Sequence, residues 1–414
     1  MRAVLANMTS LEPTPIESLA HHRQVFSFSF QPQFVRGMIS PMKAVLITLL
    51  FTATVVLAQP VRFFVGTYTD NGMSRGIYTG TLDTQTGHLS PLELAAGLQS
   101  PNYLALSPDQ KSLYAVSPTN GGSVAAFNVN TNGRLTFLNL LPSGKECCHV
   151  SVGATGRNVF VVNYFADSVG SYLANPDGSL KEIAQYQTFK GSGPVADRQD
   201  RPHLHSIYAD AADRFVYACD LGTDNIWFFG LHPRTGKLDP LDPPSFKVPP
   251  GSGPRHLAFS PDQQFVYVNG EMGLNVNVFA RTYSNGKLKL IQTIGTLPPT
   301  AERAGMSTAE IVCHPSGKWL YVSHRDSLHR RRDSVAVFAI GSDGQLTWLQ
   351  NAPAEVRVPR GFGVDPTGHW LIMAGQSDNK LAVLKIDEAT GKLSSTDQTA
   401  MVGSPVCVIF EKPL

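Results

Sequence analysis

Three chemically reactive side chains fall at the two ends of one short segment, residues 254–271 (PRHLAFSPDQQFVYVNGE). Arg255 and His256 stand near its start and Glu271 at its end, with alternating apolar residues between them. This alternation predicts two strands joined by a turn at residues 260–263, where Pro and Asp favour a β-turn. Paired antiparallel strands bring the start of the first beside the end of the second, so we expect all three groups at one sheet edge. Together they could activate a water molecule and stabilise developing negative charge.

The same hairpin pattern begins again near residues 101, 148, 202, 307 and 359, so that successive copies start 47 to 54 residues apart. Each copy is followed by a third apolar run, such as Asn275–Arg281 or Ser334–Ile340, a turn ending in Gly and a fourth run. Four antiparallel strands per unit at this period predict the blades of a β-propeller. The units lack a GH…WD pair, which excludes a WD40 array.

A seventh unit is divided between the two ends of the repetitive region. Residues 405–410 supply only a first strand, and residues 62–94 supply three more, the last of them at residues 88–94. Joining these pieces in one blade closes the ring and leaves no open sheet edge. We therefore predict an all-β domain at residues 60–414, a seven-bladed β-propeller of four-stranded antiparallel blades whose N- and C-terminal strands share a blade.

Aligning the units separates positions that stay apolar from positions that hold a different polar residue in each unit. At the first strand, one such column contains Asn102, Cys148, His205, Arg255, Ala309 and Arg360, and the next contains Tyr103, His149, Ser206, His256, Glu310 and Gly361. At the end of the second strand, Asn163, Asp220, Gly270, His324 and Gly375 align, followed by Tyr164, Leu221, Glu271, Arg325 and Gln376. Structural positions obey a repeat and functional ones depart from it, so these columns predict a site at one mouth of the ring.

The predicted catalytic group consists of His203, His205, Arg255, His256, Glu271 and Glu310. One of the histidines would act as general base, oriented by Glu271 or Glu310, while Arg255 and Arg360 would stabilise an oxyanion or hold a phosphate or carboxylate. Predicted substrate contacts are His149, Asn163, Arg198, Asp220, Arg325, Arg360 and Gln376.

Structural roles are the alternative at several of these positions. His149 and His256 could bond to carbonyls of a neighbouring blade, and Asp220 could form a turn. Arg255 and Arg360 could hold adjacent blades together through carboxylates such as Glu271 or Glu310. His232, His314 and His369 fall on the opposite turns or the outer strands, and we interpret them as structural.

Six motifs occur in order in different units: Arg198-Gln199 with Pro202-His203-x-His205, DLGTD at 220–224, GSGPRH at 251–256, NGE at 269–271, HPSG at 314–317, and Pro359-Arg360-x-Phe362. In these motifs the chain resembles the seven-bladed lactonase family, which contains propeller-type 6-phosphogluconolactonases and fungal carboxymuconate cyclases, and the resemblance covers residues 62–410. It implies hydrolysis of a sugar lactone, 6-phosphoglucono-1,5-lactone to 6-phosphogluconate, by base-activated water. It implies no metal and no other cofactor.

Three other functions remain open. A carboxymuconate cycloisomerase would use the same arginines to hold carboxylates and a histidine to move a proton to carbon. An exported propeller without catalytic activity could bind a glycan or a protein through its rim. A metal-dependent lactonase could bind Ca²⁺ through acidic residues and histidines at the mouth.

The residues before the repeats predict export. Residues 1–41 have mixed composition and are interpreted as an unstructured leader or a start assigned too early. Residues 42–58 contain Lys43, an apolar run at 44–57 and the pattern Val56-x-Ala58, which is typical of a secretory signal peptide cleaved after Ala58. The apolar run is shorter than the ~20 residues that span a bilayer. We expect a periplasmic or extracellular protein with no stable membrane span after cleavage.

The content of charged residues and cysteines limits the possible binding partners. Only 16% of the 414 residues are charged and the formal net charge is +2, which gives no electrostatic basis for binding nucleic acid. The five cysteines include no CxxC spacing, so neither a zinc site nor a disulfide framework is indicated. The expected partner is a small lactone, and the sequence does not predict an oligomeric state.

Overall fold

A computed structural model describes residues 60–412, so the predicted leader and signal peptide lie outside the described residues. The described residues form seven four-stranded antiparallel sheets arranged as a β-propeller. Their one helical element is a short 3₁₀ turn at Thr119–Gly121. Nowhere between residues 60 and 412 is there a helix long and apolar enough to cross a membrane. The predicted all-β, seven-bladed fold is confirmed.

The strands follow the chain in blade order. The closing blade begins with β1 (Val61–Thr67), β2 (Gly76–Leu82) and β3 (Glu93–Gly97). Blade 1 contains β4 (Tyr103–Leu106), β5 (Ser112–Ser117), β6 (Ser123–Val129) and β7 (Leu135–Pro142); blade 2 contains β8 (Cys147–Val152), β9 (Asn158–Asn163), β10 (Ser168–Ala174) and β11 (Leu180–Thr188). Blade 3 contains β12 (Leu204–Ala209), β13 (Phe215–Asp220), β14 (Asn225–His232) and β15 (Lys237–Lys247); blade 4 contains β16 (Pro254–Phe259), β17 (Phe265–Gly270), β18 (Asn275–Arg281) and β19 (Leu288–Gly295). Blade 5 contains β20 (Met306–Cys313), β21 (Trp319–Asp326), β22 (Ser334–Ile340) and β23 (Leu346–Pro353); blade 6 contains β24 (Pro359–Val364), β25 (Trp370–Gly375), β26 (Lys380–Ile386) and β27 (Leu393–Met401), and β28 (Pro405–Phe410) returns to the closing blade.

The closing blade joins the two ends of the repeat region, as predicted. Strand β28 pairs with β1 in antiparallel register, with Phe63 opposite Phe410, and the two rings pack with centroids 5.8 Å apart. The outer strand differs from the prediction of residues 88–94, because β3 starts only at Glu93. Pro91 has no N–H to donate to a ladder, and before it only Leu89 forms a single bridge, to Leu82.

Burial follows the position of each strand in its blade. Every residue of β5, β9 and β25 is buried, because neighbouring blades cover both faces of these second strands. Outer strands such as β19 are mostly exposed or half-buried, with only Leu288 buried, since one face meets solvent. The chain thus forms a ring of apolar layers between blades, and polar groups are left to the axis and the two ends.

Tyrosines on the second strands link successive blades. The hydroxyl of Tyr114 donates to the carbonyl of Gly178 in blade 2 at 2.9 Å, and that of Tyr321 donates to the carbonyl of Gly391 in blade 6 at the same distance. Gly391 has φ 70° and a Cβ there would lie 2.3 Å from the Trp319 ring, so only glycine fits this turn. The Gly-ended turns that mark the repeat therefore accept a hydrogen bond from a tyrosine of the preceding blade.

Candidate functional site

The first strands of blades 2 to 6 each carry an irregularity in strand pairing near the axis. The register with the second strand shifts between Cys147 and His149, Leu204 and Ser206, Pro254 and Leu257, Thr308 and Ile311, and Pro359 and Gly361. A β-bulge leaves a residue unpaired and redirects its side chain. The residues inside these shifts are Cys148, His205, Arg255, His256, Ala309, Glu310 and Arg360. In blades 2 to 6, the first variable column of the sequence therefore lies within bulges that turn side chains toward the central space.

One mouth of the ring is a cavity of about 590 Å³. Five predicted site residues line it: Arg198, His205, Glu271, Arg325 and Arg360. Tyr68, Asn102, Glu146, Cys148, Tyr164, Phe165 and Ser307 line it as well. Three guanidinium groups and two carboxylates therefore face a space large enough for a sugar lactone.

Glu271 is the ionic centre of this mouth. Its Oε1 lies 2.6 Å from Nη2 of Arg198, and its Oε2 lies 2.9 Å from Nε of Arg255 and 3.0 Å from Nη2 of Arg325. Burial would raise the pKa of this carboxyl, but the charges of the three arginines outweigh it and hold the pKa well below its usual range. Glu271 is therefore an ion-paired anion and a poor proton acceptor. The prediction that Glu271 orients a histidine is therefore wrong, because its carboxylate contacts three arginines.

Arg255 and His256 lie beneath the mouth, toward the axis, and neither lines the cavity. Nη1 of Arg255 lies 3.3 Å from Nε2 of His256, and Nδ1 of His256 lies 2.7 Å from Oε1 of Glu310. A guanidinium can only donate, so Nε2 must accept and Nδ1 must carry the hydrogen. Burial, reinforced by the Arg255 charge, places the pKa of His256 well below its ordinary value. The lone pair of His256 is thus engaged by Arg255 and is not free to activate water at the mouth.

Glu310 belongs to the other end of the axis. It orients His256, as one predicted alternative required, but it lines a second cavity at the opposite mouth of the ring. Burial raises the pKa of Glu310 to about 7, against the opposing charge of Arg255. The prediction that Glu310 joins the other candidates at one mouth is wrong. His205 and Arg360, in the first aligned column, line the arginine-rich mouth, whereas Glu310, in the second column, lines the opposite cavity.

His205 is the predicted histidine that lines the mouth. It is 4% exposed, and its Nδ1 has no hydrogen-bond partner among the described residues. Burial and the nearby Arg255 charge lower the pKa of His205 well below its ordinary value. The imidazole is therefore neutral near pH 7, which is the form that accepts a proton.

Arg360 lines the mouth and has no carboxylate partner among residues 60–412. Arg198 and Arg325, by contrast, both pair with Glu271. Its Cζ lies 5.8 Å from the centroid of the Tyr68 ring. An aromatic face holds the cation without neutralising it. Arg360 is therefore the group best placed to meet an anionic or polarised oxygen of a ligand.

His203 supports the wall of the mouth. Its ring stacks on Tyr164 with centroids 4.4 Å apart and an interplanar angle of 13°. Nδ1 lies 3.2 Å from the Tyr164 carbonyl and Nε2 lies 3.1 Å from Oδ1 of Asp200. Both ring nitrogens thus have protein partners, so His203 positions Tyr164.

Four predicted substrate contacts lie outside the mouth. Asp220 is buried and accepts bonds from the His203 N–H at 2.8 Å and from Trp227 Nε1 at 3.0 Å, so it holds blade 3 together. Asn163 bonds the side chains of Ser168 in blade 2 and of Ser143 in the segment that joins blade 1 to blade 2. His149 and Gln376 do not reach the cavity either.

His149 lies deeper on the axis, with its ring 4.3 Å from that of Tyr103. Its Nδ1 is 3.5 Å from the Ile207 N–H of blade 3. Gln376 forms backbone bonds, to Val358 and to Ser404. His314, interpreted as structural, lies with Nε2 2.8 Å from the Gly368 carbonyl at the far turns.

The sequence columns missed several lining residues. Tyr68 directly follows β1, the second strand of the closing blade, so extending the last column to that blade would have found it. Glu146 and Ser307 precede the aligned columns, and no repeat position marks them. For metals, the described residues contain no group of three or more His, Cys, Asp or Glu side chains that could hold an ion.

The fold and the mouth define a class of protein, a seven-bladed propeller with an arginine-rich polar mouth. The sequence model described as "Lactonase, 7-bladed beta-propeller" matches residues 62–410. The chain therefore belongs to the seven-bladed β-propeller lactonase family.

Relatives within this family carry more specific names. The chain is 34% identical over 351 residues to a 6-phosphogluconolactonase of Bacillus subtilis, covering 84% of this chain and 97% of that protein. A crystal structure of a putative 6-phosphogluconolactonase from Bacteroides fragilis superposes with a TM-score of 0.79 at 34% identity, over 86% of this chain and 99% of the other. The periplasmic gluconolactonase of Pseudomonas aeruginosa gives a TM-score of 0.79 at 29% identity, over 85% of this chain and 99% of the other.

Proposed function

We propose that this protein hydrolyses a sugar lactone of the gluconolactone type in the arginine-lined mouth. The observation that carries the proposal is that His205 and Arg360 line one cavity, the first as a neutral imidazole and the second as a cation that no carboxylate of residues 60–412 pairs with. Family membership and the names of the relatives support the same reaction.

The chemistry needs one proton acceptor and one stabilised oxygen. His205 takes a proton from water as the water oxygen bonds to the lactone carbonyl carbon, and Arg360 donates to the carbonyl oxygen as that oxygen gains charge. The tetrahedral intermediate collapses by breaking the bond between that carbon and the ring oxygen. The ring oxygen leaves as a hydroxyl after taking the proton from His205. The new carboxylic acid then releases its own proton to solvent, which gives an open-chain carboxylate.

We propose 6-phosphoglucono-1,5-lactone as the substrate. Its phosphate would meet Arg198, whose side chain is 43% exposed at the rim, while the reacting ring lies deeper beside Arg360. An exposed guanidinium at the rim suits a dianionic group that keeps part of its hydration.

The experiment is a proton-release assay of the purified protein with glucono-1,5-lactone, its 6-phosphate and a carboxymuconolactone. Enzymatic release from a gluconolactone above the spontaneous rate is expected, with a higher kcat/KM for the phosphorylated substrate. Turnover of the carboxymuconolactone alone would favour the cycloisomerase, and no turnover of any lactone would favour a binding protein. Equal kcat/KM for the two gluconolactones would contradict a phosphate subsite at Arg198.

We also propose that the protein is exported after cleavage following Ala58. The support is the signal-like composition of residues 42–58. N-terminal sequencing of the protein purified from cell fractions should give Gln59 as the first residue outside the cytoplasm. A cytoplasmic protein that retains residues 42–58 would contradict export.

A further inference from the structure

A second cavity lies at the opposite end of the propeller axis, and the proposed reaction does not use it. Its volume is about 590 Å³. It is formed where the first strands end, and its apolar wall includes Leu257, Ile311, Phe362, Val408 and Ile409. Lys412 lies at its edge. A concave apolar space of this size with few polar groups is the usual form of a small-molecule site.

Apart from Lys412 at the edge, three polar side chains line this cavity. Glu310, Tyr103 and Tyr208 line it together, one from each of three first strands or their starts. Oε1 of Glu310 accepts bonds from Nδ1 of His256 at 2.7 Å and from the Ile311 N–H at 3.1 Å. The Tyr103 hydroxyl lies within hydrogen-bonding reach of the same carboxyl, and the Tyr208 hydroxyl within reach of Tyr103, so a ligand head group would join this polar cluster. A carboxyl at the floor of an apolar space would fix the orientation of one polar head group.

The protonation of Glu310 limits what that head group can be. Burial raises its pKa to about 7, so the acid and the carboxylate coexist near neutral pH. An ammonium ligand would suit only the carboxylate, and an anionic ligand only the acid. A hydroxyl donates to the carboxylate and accepts from the acid, so it fits both forms. The Tyr103 and Tyr208 hydroxyls next to it can bond to the same group.

The walls indicate the rest of the ligand. Phe362 contributes an aromatic side chain to the apolar wall, and the rings of Tyr103 and Tyr208 flank the carboxyl. Aromatic side chains favour a flat aromatic ligand, through edge-to-face or offset stacking. A phenol also stays neutral near pH 7, because its pKa lies near that of tyrosine, about 10.

We propose that this cavity is a binding site for a small aromatic alcohol of the phenol class, with its hydroxyl on Glu310 and its ring against the apolar wall. The site is separate from the arginine-lined mouth, whose lining residues it does not share. Its occupation therefore does not depend on which lactone the mouth accepts, or on whether the protein is a lactonase.

The test compares p-cresol with toluene, two rings of similar size that differ in the hydroxyl, by calorimetry on the full protein. Val312→Trp and Ile409→Trp place an indole in the cavity from two different strands. Ile183→Trp is the matched control, since Ile183 lies on the outer strand β11 and is 41% exposed. Two filling variants are needed because β28 closes the ring and Ile409→Trp alone could impair folding.

The proposal expects saturable binding of p-cresol that Ile183→Trp retains and that every folded filling variant weakens at least about tenfold. It also expects p-cresol to bind more tightly than toluene. No saturation by p-cresol up to about 5 mM would overturn the proposal, as would unchanged affinity in a folded Val312→Trp protein. Equal affinity for toluene would overturn the role of the hydroxyl.

Discussion

Oε2 of Glu271 accepts a hydrogen bond from Nε of Arg255 at 2.9 Å, between the two ends of the β16–β17 hairpin. The same carboxylate also holds Arg198, from the segment before blade 3, and Arg325, from the end of β21 in blade 5. One buried anion therefore fixes guanidinium groups that come from three parts of the ring. Its contribution is structural and electrostatic: it sets the shape of the mouth and limits the positive charge there.

Replacing Glu271 should destabilise the protein in a pH-dependent way. Glu271→Gln leaves the buried Arg255 and the partly buried Arg325 without their anion, and breaking a buried ion pair costs about 3–5 kcal/mol at pH 7. The folded-state pKa of Glu271 is lowered, so its stabilisation is present above the unfolded pKa of about 4.3 and is lost as pH falls. The stability difference between wild type and variant should therefore shrink below about pH 4. Urea denaturation at several pH values measures it.

A surface pair supplies the control. Glu302 pairs with Arg330 at 2.5 Å, and both side chains are more than half exposed. Glu302→Gln should change the free energy of unfolding by less than about 1 kcal/mol. A Glu271→Gln protein as stable as Glu302→Gln at pH 7 would show that the central carboxylate does not hold the mouth together.

Removing the His205 imidazole should reduce turnover without loss of fold. His205→Gln is expected to lower kcat on the best lactone about 10²- to 10⁴-fold, the usual contribution of a general base. Burial keeps the wild-type pKa of His205 below its ordinary value, so the active neutral form dominates near pH 7. The wild-type rate should be flat from neutral to mildly alkaline pH and fall only on acidification.

His314→Gln is the matched histidine control, because His314 lies at the far turns against the Gly368 carbonyl. It should retain wild-type kcat. A His205→Gln enzyme with unchanged kcat would move the search for the base to Glu146, the other lining residue able to accept a proton without an ion pair among residues 60–412.

The ring could be predicted because the same strand pattern is repeated seven times. The pattern is an alternation of apolar and polar residues, which determines directly which side chains are buried. The third strand predicted at Asn275–Arg281 is the observed β18, and the same agreement holds at Ser334–Ile340. The outer strand of the closing blade was misplaced because Pro91 interrupts an exposed edge. Few residues of an outer strand are buried, so its sequence need not alternate between apolar and polar residues. The start of such a strand is therefore hard to predict from the sequence.

The site was harder to predict because depth along the axis depends on the bulges. His205 and Ser206 are adjacent, yet only His205 lines the mouth, and the shift between Leu204 and Ser206 decides which one does. A repeat alignment identifies the variable positions but does not show to which end of the axis each side chain turns. For that reason Arg360 and Glu310, from neighbouring columns, were placed at one mouth although they line opposite cavities.

Loss of the Arg360 charge should weaken both substrate binding and turnover. Arg360→Met removes the guanidinium that lies beside Tyr68 at the mouth, and hydrogen bonds to charged groups contribute about 1.5–3 kcal/mol. The expected fall in kcat/KM is about 10- to 150-fold. Arg360→Lys should recover only part of it, because an ammonium lacks the planar fork.

Arg331→Met is the control for loss of positive charge, since Arg331 lies in an exposed loop and does not line the cavity. Steady-state kinetics of the three variants with one lactone makes the comparison. Wild-type kcat/KM in Arg360→Met would contradict its role at the reacting oxygen.

The hydroxyls of equivalent tyrosines should differ in their contribution to stability. Tyr321 donates to the Gly391 carbonyl at 2.9 Å, whereas the hydroxyl of Tyr267, at the equivalent position of blade 4, is buried with no hydrogen-bond partner among the described residues. Tyr321→Phe should lower the free energy of unfolding by about 1 kcal/mol, because it leaves a buried carbonyl unpaired. Tyr267→Phe should be neutral or stabilising, since it removes an unsatisfied hydroxyl. Urea midpoints with unchanged m-values measure both, and equal losses would show that the inter-blade bond does not stabilise the ring.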